Sequence, residues 1–399
     1  MVQNRRQFVM GSVAAAAPMV LSSSARGAND RPSYALIACG NRGRWLSQAF
    51  QSLDARCVGL CDVYEPYLEL AKTQSPPDAK AYGDYREVLA QKNIDFVVIA
   101  SPDHHHCPML LDSLAAGKDV YIEKPLSLNL EQSAKMVAAV RKSDRIVQVG
   151  MQRRSMEFIR KAKKLIDDDV IGKVSMVKAM WNWHFDMPLD SSELPGKLDW
   201  ARFLGPAPKR PLDPVRFRWW RGFWDYSGGN MTDQGTHLMD VVQWMTNSGP
   251  PVSAVCQGKV LEVSGVEAPN VFSAAFEYRD FMATWTLNYR SSYEHDWSIL
   301  FQGEKAALFI DRKGYRLYKD AGISAKPWTQ KGDLELIGEL PDTDKPEAHQ
   351  QNFLDCIRSR QQPNCPVEIA AAAVAGPHMA NIAWKKDKKV KLDASGMAS

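Results

Sequence analysis

The chain has 399 residues, of which 45% are hydrophobic and 24% charged, and its formal net charge at pH 7 is +4. This length is enough for two domains with their own hydrophobic cores. Basic residues are spread without a basic block, which argues against a nucleic-acid-binding protein. Seven cysteines show no paired spacing, so neither a zinc site nor a disulfide framework is predicted.

The first 28 residues are typical of a targeting segment. Arg5 and Arg6 precede an alanine-rich apolar stretch over residues 9–21, and small residues follow it. This stretch is shorter than the about 20 residues that cross a bilayer, and no later stretch is long and apolar enough for a membrane span. We interpret residues 1–28 as a twin-arginine export signal, and expect a periplasmic or otherwise exported protein.

Residues 31–150 alternate short apolar runs with helical segments. This alternation is typical of a parallel sheet that is covered by helices on both faces. The region is therefore predicted to be an α/β domain of the doubly wound, dinucleotide-binding (Rossmann) type. The strands expected from apolar runs are residues 34–38, 56–61, 95–100, 119–123 and 145–150.

A glycine-containing turn, residues 38–43, follows the first predicted strand. It has alanine at Ala38, where the first glycine of a dinucleotide fingerprint is usual, but it keeps Gly40 and Gly43. Those two glycines let the backbone approach a pyrophosphate and let the helix pack on the strand. Asp62 ends the second strand, where a carboxylate binds ribose hydroxyls and repels a 2′-phosphate. NAD is the predicted cofactor, and NADP is the alternative because two nearby arginines can serve a phosphate.

Three consecutive histidines begin at His104, just after Ser101 and Pro102. A run of three cannot place all its side chains on one ion, and no carboxylate or cysteine stands at ligand spacing, so no metal site is predicted. The run is interpreted as a helix start with some histidines facing the cofactor cleft. The residues expected around the cofactor are Gly40, Asn41, Arg42, Gly43, Asp62, Ser101, Pro102, His104, His106, Glu123 and Gln152.

Lys124 lies in the tripeptide Glu123-Lys124-Pro125, directly after a predicted strand. A lysine at the mouth of a dinucleotide-binding sheet is costly to place unless it takes part in chemistry. Beside the positive nicotinamide ring, such a lysine is suited to acid–base catalysis. The alternative is that a charged residue and a proline end a strand at the surface.

Residues 151–390 are predicted to form a second, α+β domain for substrate binding and oligomerisation. Alternating apolar and polar residues over 172–181 and 252–318 predict a large open, mostly antiparallel sheet with one covered face. The other face of such a sheet is usually covered by a second copy, so a homodimer or homotetramer is expected. Residues 320–346 are predicted to be loops, and the closing helices are expected at 349–360 and 368–384.

Several tryptophans and arginines lie in stretches of this domain that have no regular periodicity. Indole faces suit stacking on a sugar ring, although burial in a core is the default for an aromatic side chain. Arg154, Trp183 and Trp220 are the residues predicted to contact a substrate.

Asp233 and His237 stand four residues apart in a predicted helix that continues through Trp244. At this spacing the two side chains share a helix face. A carboxylate beside an imidazole orients the ring and raises its basicity, as a base that removes a hydroxyl proton requires. The alternative is a helix with ordinary polar partners.

Together these motifs resemble the glucose–fructose oxidoreductase, inositol dehydrogenase and rhizopine catabolism (Gfo/Idh/MocA) family, from Tyr34 to about Val390. The resemblance implies that Lys124, Asp233 and His237 form the catalytic group. In that interpretation His237 takes the hydroxyl proton, Asp233 holds and polarises it, and Lys124 shares the proton and fixes the substrate oxygen.

The resemblance also implies an activity. We expect an NAD(P)-dependent dehydrogenase that transfers a hydride between a tightly held nicotinamide cofactor and a hydroxyl or keto carbon of a sugar, glycoside or cyclitol. The alternatives are a redox-neutral glycosidase or epimerase that uses NAD transiently, and a non-catalytic carbohydrate-binding protein on the same fold.

Overall fold

A six-stranded parallel sheet forms the N-terminal domain. Its elements are β1 Ser33–Ile37, α1 Asn41–Ser52, β2 Arg56–Cys61, α2 Glu65–Lys72, β3 Lys80–Tyr82, α3 Tyr85–Leu89, β4 Phe96–Ile99, α4 His106–Ala115, β5 Asp119–Ile122, α5 Leu130–Val140 and β6 Val147–Val149. The strand order is β3-β2-β1-β4-β5-β6, the order of a doubly wound dinucleotide-binding sheet, which confirms the predicted fold class.

The computed structural model describes residues 31–185, 189–262, 265–322, 324, 326, 328, 334–393 and 396–398. The predicted export signal, residues 1–28, lies outside these ranges. Every residue of β4 and β5 is buried, because helices cover both faces of a parallel sheet. That double burial is the reason these strands are continuous apolar runs in the sequence.

The C-terminal domain contains a nine-stranded sheet. Its elements are α6 Glu157–Asp167, β7 Val174–Asn182, α7 Trp200–Leu204, α8 Pro214–Arg218, α9 Gly229–Asp233, α10 Gly235–Met245, β8 Ser253–Lys259, β9 Val271–Glu277, β10 Met282–Asn288, β11 Asp296–Gly303, β12 Ala306–Asp311, β13 Gly314–Lys319, β14 Leu336–Pro341, α11 Ala348–Ser359, α12 Val367–Lys386 and β15 Val390–Lys391. The strand order is β14-β13-β12-β11-β7-β10-β9-β8-β15. Only β7 and β10 pair in parallel, so the prediction of a mostly antiparallel sheet is confirmed.

One face of this sheet carries the core of the C-terminal domain. The inward side chains, such as Trp285, Phe276 and Phe301, are fully buried and share a hydrophobic cluster with residues of α10 and α12. The opposite face keeps partly exposed apolar residues, among them Met180 and Phe309. The alternation of buried and exposed positions is therefore the period of two that the sequence shows.

Residues 336–341 correct the prediction that the whole stretch 320–346 is loop. They form β14, which pairs antiparallel with β13 at the edge of the sheet. Four of the six residues of β14 are exposed, so the strand has no apolar face that periodicity detects. Its pairing is set by the strand beside it rather than by its own sequence.

Helix α12 connects the two domains. Its first turns, with Val367, Ala370 and Ala373, belong to a core cluster of the parallel sheet, whereas Met379 and Ala383 belong to the core of the C-terminal domain. Small residues allow this helix to pack closely on both sides. No helix in the described ranges, α12 included, is long and apolar enough to cross a membrane.

Buried histidines are expected to make the fold sensitive to acid. Burial is the main cause that lowers the pKa of six histidines. The pKa is lowered to about 4 for His105, His349 and His378, and it is also lowered for His104, His106 and His237. Because the folded-state pKa lies below the unfolded value of about 6.5, the unfolded chain binds more protons below that pH. Each group then costs about 1.4 kcal/mol of stability per pH unit, until its folded-state pKa is reached.

Urea unfolding at pH 7 and pH 5 measures this effect, and we expect a lower midpoint at pH 5. Three carboxyl groups whose pKa is raised by burial act in the opposite sense, but they are fewer: Asp62, Asp103 and Asp240. An unchanged or higher midpoint at pH 5 would contradict the prediction.

Candidate functional site

An ion pair between the two domains brings together two of the predicted catalytic residues. Lys124 follows β5, and its Nζ atom lies 2.7 Å from Oδ1 of Asp233 at the end of α9 and 2.9 Å from the Asp233 backbone oxygen. The two side chains are only 15% and 9% exposed. The pair therefore lies in a largely enclosed position where the parallel sheet faces the C-terminal domain.

A second cation, Arg221, also contacts Asp233. Its Nε atom is 3.3 Å from Oδ1 of Asp233, and its guanidinium lies over the Trp220 ring at 4.2 Å from the ring centre. Burial acts to raise the pKa of Asp233, but Lys124 and Arg221 hold it well below its ordinary value. Asp233 is thus ionised. The sequence analysis selected Trp220 in this stretch and missed Arg221.

A second carboxyl group, Asp103, lies close to these charges. The residue is 1% exposed, and its Oδ2 atom accepts a hydrogen bond from Oγ of Ser227 at 2.9 Å. Burial and the negative charge of Asp233 raise the pKa of Asp103 to about 7, although Arg221 opposes this. Its charge therefore changes near neutral pH.

His237 does not pair with Asp233 as predicted. Asp233 ends α9, Gln234 follows, and α10 begins at Gly235, so the two residues do not share a continuous helix face. Asp233 pairs with the two cations, and Nδ1 of His237 has no hydrogen-bond partner among the described residues. The prediction that Asp233 orients His237 is wrong in this structure, because stronger partners occupy the carboxylate.

The charge state of His237 still suits a proton acceptor. Burial first, and then the positive charges of Arg153 and Lys124, lower the pKa of His237 well below its ordinary value. The ring is therefore neutral at neutral pH, as a group that accepts a proton must be. A buried polar atom without a hydrogen-bond partner, such as this Nδ1 atom within the described part of the chain, is uncommon in proteins, and a functional role explains why it is kept.

The glycine turn leaves room for a pyrophosphate. A side chain at Gly40 would meet no atom within 4 Å, whereas one at Gly43 would lie 2.1 Å from the Ala38 carbonyl oxygen. Helix α1 begins at Asn41 without an acidic residue in its first turn, so its N-terminus can face an anion. Ala38 adopts a φ of 72°, the left-handed conformation for which glycine is the usual residue.

Asp62 is held at the tip of β2 by backbone groups. Its Oδ2 atom accepts a hydrogen bond from Cys39 N–H at 2.6 Å, and Oδ1 accepts one from Tyr64 N–H at 2.8 Å. Burial raises the pKa of this carboxyl to about 6, against the effect of those hydrogen bonds. The carboxylate is thus fixed at the position where a dinucleotide-binding sheet binds the adenosine ribose.

A cavity of about 490 Å³ lies at the carboxyl ends of the parallel strands. Four of the predicted cofactor residues line it from the N-terminal domain: Gly40, Asp62, Ser101 and Pro102. The opposite wall belongs to residues 195–220, the covering segment, through Phe203, Phe217 and Trp220. Trp220, predicted as a substrate residue, therefore lies against the cofactor cavity.

The covering segment pairs with the chain that follows Asp62. The Lys197 carbonyl accepts a hydrogen bond from Glu65 N–H at 2.9 Å, and Asp199 N–H donates one to the Val63 carbonyl at 2.8 Å. The Tyr64 hydroxyl donates to the Pro195 carbonyl at 2.7 Å. A cluster of aromatic residues from both sides packs beneath these bonds. The wall of the cavity is therefore part of the folded core and is not a detached loop.

The histidine run begins a helix and one member lines the cavity, as predicted, but that member is neither His104 nor His106. Nε2 of His104 and Nε2 of His105 each lie 2.8 Å from the Phe203 carbonyl oxygen, and it is His105 that lines the cavity. The nitrogens of His106 lie 2.7 Å from the Pro125 oxygen and 3.0 Å from the Ser101 oxygen. These histidines brace the loops around the site. Among the described residues no group of three or more His, Cys, Asp or Glu side chains is arranged to hold a metal ion.

Most of the remaining predicted residues have partners within the protein. Arg42 donates to Glu123 at 2.7 Å, Asn41 accepts from Arg44 at 2.6 Å, and Oε1 of Gln152 is buried without a partner among the described residues. Two of the predicted substrate residues also contact other side chains of the protein, so they lie in packing positions. Arg154 donates to buried Asp240 at 2.7 Å, and Trp183 stacks on Tyr289 at 5.6 Å.

Two family models match the chain. Residues 33–151 match the NAD-binding Rossmann fold of the Gfo/Idh/MocA oxidoreductase family, and residues 155–398 match the C-terminal alpha/beta domain of that oxidoreductase family. Among curated proteins, the myo-inositol 2-dehydrogenase of Thermotoga maritima is 31% identical over 263 residues, which cover 65% of this chain and 68% of that protein. The inositol 2-dehydrogenase of Burkholderia cenocepacia is 35% identical over 147 residues, which cover 36% of this chain and 43% of that protein.

Solved structures share the fold over nearly the whole chain. The WlbA dehydrogenase of Bordetella pertussis, in complex with NADH and UDP-GlcNAcA, is 20% identical with a TM-score of 0.69, covering 91% of this chain and 99% of that chain. A levoglucosan dehydrogenase, in complex with NADH and levoglucosan, is 16% identical with a TM-score of 0.69, covering 90% and 99%. At these identities the likeness concerns the fold alone.

Asp62→Ala tests the cofactor-binding role of the β2 tip. We expect the dissociation constant for NAD to rise about tenfold or more, since hydrogen bonds to a charged group contribute about 1.5–3 kcal/mol. The constant for NADP is expected to fall relative to that for NAD, because a 2′-phosphate no longer meets a carboxylate. Fluorescence titration of both nucleotides measures the change.

Asp78→Ala is the matched control for Asp62→Ala. Asp78 forms an exposed ion pair with Arg56 away from the cavity, so its removal should leave both dissociation constants unchanged. If Asp62→Ala left the ratio of the two constants unaltered, the ribose would be bound by other residues.

Proposed function

Because the chain belongs to the Gfo/Idh/MocA family of NAD-binding oxidoreductases, we propose that it transfers a hydride between NAD and a carbon of a sugar, glycoside or cyclitol. The carbon carries a hydroxyl group in the reduced substrate and a keto group in the product. The observation that carries this proposal is the enclosed Lys124–Asp233 pair, beside a cofactor cavity lined by Asp62 and Gly40.

Three side chains take part in the transfer of the hydroxyl proton in this proposal. When bound, the nicotinamide ring supplies the acceptor for the hydride. Lys124, held by ionised Asp233, donates a hydrogen bond to the substrate oxygen and fixes its position. Neutral His237 accepts the hydroxyl proton as the carbon is oxidised. The Asp233 carboxylate keeps Lys124 in place and offsets the positive charge of the site.

The substrate class rests on the relatives and on the polar character of the site. The curated relatives are named for inositol, a cyclitol, and the solved structures contain levoglucosan or a nucleotide-linked sugar acid. A polyol hydroxyl is also the group for which a lysine, a carboxylate and a neutral histidine are suited. NAD is preferred over NADP in this proposal because Asp62 stands at the ribose position.

The covering segment supports a tightly held cofactor. It forms one wall of the cavity and is held there by backbone hydrogen bonds to Val63 and Glu65 and by a packed aromatic cluster. A rigid wall of this kind favours slow release of a bound nucleotide. A resident nucleotide must then be regenerated in place, by a second sugar or by return of the hydride to the same substrate.

We further propose that the protein is exported in folded form. The support is the pair Arg5 and Arg6 before an apolar stretch, together with the seven cysteines, all of which are buried and free. A chain that folds around its nucleotide in a reducing compartment needs no disulfide. Fractionation of cells that express the natural chain and an Arg5→Lys, Arg6→Lys variant decides this, since equal export of both would refute it.

The open face of the nine-stranded sheet supports assembly with a second copy. Partly exposed Met180 and Phe309 lie on this face, opposite the core. We propose a homodimer or homotetramer through it. Light scattering tests this against the monomer mass of 44.7 kDa.

Lys124→Ala separates the chemistry from cofactor binding. We expect oxidation of a polyol substrate to fall at least a hundredfold, because a positioned acid–base group contributes about 10²–10⁴ in rate. The nucleotide should remain bound, because Lys124 contacts Asp233 and does not line the cofactor cavity. Mass spectrometry of nucleotide released by denaturation, for the natural protein and the variant, measures retention.

Lys142→Ala is the control for Lys124→Ala, because Lys142 is exposed and lies in the same domain. Equal turnover of Lys124→Ala and Lys142→Ala would remove Lys124 from the reaction. A natural protein that neither releases nor binds a nicotinamide nucleotide would overturn the proposed function as a whole.

A further inference from the structure

Arg221 has an open side. Its ion pair with Asp233 runs through Nε, and its Nη1 and Nη2 atoms donate no hydrogen bond to any described residue. The side chain is 42% exposed, whereas Lys124 beside it is 15% exposed. Two parallel N–H groups of a guanidinium match the two oxygens of a carboxylate or of a phosphate.

The backbone and the side chain of Arg221 are both fixed. Arg221 lies in a 3₁₀ turn, Trp220–Gly222, and the Gly222 carbonyl accepts backbone hydrogen bonds from Glu267 and Ala268 at 2.9 and 3.1 Å. Its guanidinium plane lies over the Trp220 ring. A donor pair that is already ordered loses little conformational entropy when it binds a ligand.

The ionised groups at Asp233 have a net positive charge. Two cations, Lys124 and Arg221, converge on one oxygen of this ionised carboxylate. The next carboxyl group, Asp103, has a pKa raised to about 7 by burial and by Asp233, so it does not fully offset the second cation at neutral pH. A neutral sugar needs only one cation to hold its reacting oxygen, and the second cation is left for a negative group.

We propose that Arg221 binds an oxyanion of the substrate, so that acidic sugars, which carry a carboxylate or a phosphate, bind in preference to neutral ones. Lys124 then faces the reacting hydroxyl, and the Nη1 and Nη2 groups of Arg221 face the acidic group. This inference rests on the proposed function, because it concerns the substrate of the same site. It adds a specificity residue that the sequence motifs do not include.

Binding to the protein loaded with NADH tests this inference without turnover. Calorimetric titrations compare D-glucuronate and D-galacturonate with their neutral parents, D-glucose and D-galactose, and D-glucose 6-phosphate shows whether the oxyanion is a phosphate. We expect at least one acidic sugar to bind tenfold or more tightly than its neutral parent. If no acidic sugar binds more tightly than its parent, the proposal is overturned.

Substitution of Arg221 shows whether this residue is responsible. Arg221→Gln should remove the tenfold preference, because it should weaken the binding of acidic sugars at least tenfold more than the binding of their neutral parents. Arg221→Lys, which keeps the charge but loses the paired N–H groups, should retain an intermediate preference. Arg141→Gln, which removes an exposed ion pair with Glu368, is the control and should change neither.

The opposite result has a distinct pattern. If Arg221→Gln weakened acidic and neutral sugars by the same factor, Arg221 would serve only to position Asp233, and the proposal would fail. Failure of the proposed function is visible separately, because it would appear as loss of NADH binding before any sugar is added. An intact NADH complex with no preference for acidic sugars overturns the role of Arg221 alone.

Discussion

The ion pair of Lys124 and Asp233 is the constraint on which the site depends. It connects the end of β5 in one domain to the end of α9 in the other, across 109 positions of sequence. Removing Asp233 would leave two cations without their shared carboxylate, which costs several kcal/mol, whereas removing Lys124 leaves Asp233 paired with Arg221. The pair therefore fixes how the two domains meet at the cleft, and α12, packed into both cores, holds them together at a second place.

Arg221 and Asp103 show how a short motif extends into a network. Ionised Asp233 attracts both cations, and burial together with the charge of Asp233 raises the pKa of Asp103 to about 7. Each group thus sets the charge of the next. The covering segment ends at Trp220, immediately before Arg221, so the wall of the nucleotide cavity and the charged cluster are parts of one stretch of chain.

Much of this architecture could be predicted from the sequence, for a physical reason. Strands such as β4 and β5 are buried on both faces, and their continuous apolar runs in the sequence indicate that burial. The edge strands β3 and β14 could not be found in this way, because they are short or exposed and are paired only by a neighbouring strand. Such pairing is a property of the folded sheet rather than of the segment.

The candidate site was also predicted only in part from the sequence. Lys124 and Asp233 were identified by their motifs, but the partner of Asp233 was assigned by helical spacing, and that assignment failed where Gln234 interrupts the helix. His104 and His106, two positions apart in one run of histidines, look alike in sequence, yet one contacts the covering segment and the other braces Pro125. Nothing in a run of identical residues distinguishes these positions.

The hydrogen bonds between the covering segment and residues 63–65 separate two properties of nucleotide binding. How tightly a nucleotide binds depends on its own contacts with the cavity. How quickly it exchanges depends also on local opening of the walls that contact it, and one of these walls is a segment held by hydrogen bonds that can break. Such an opening would have its own free-energy barrier, separate from the free energy of binding.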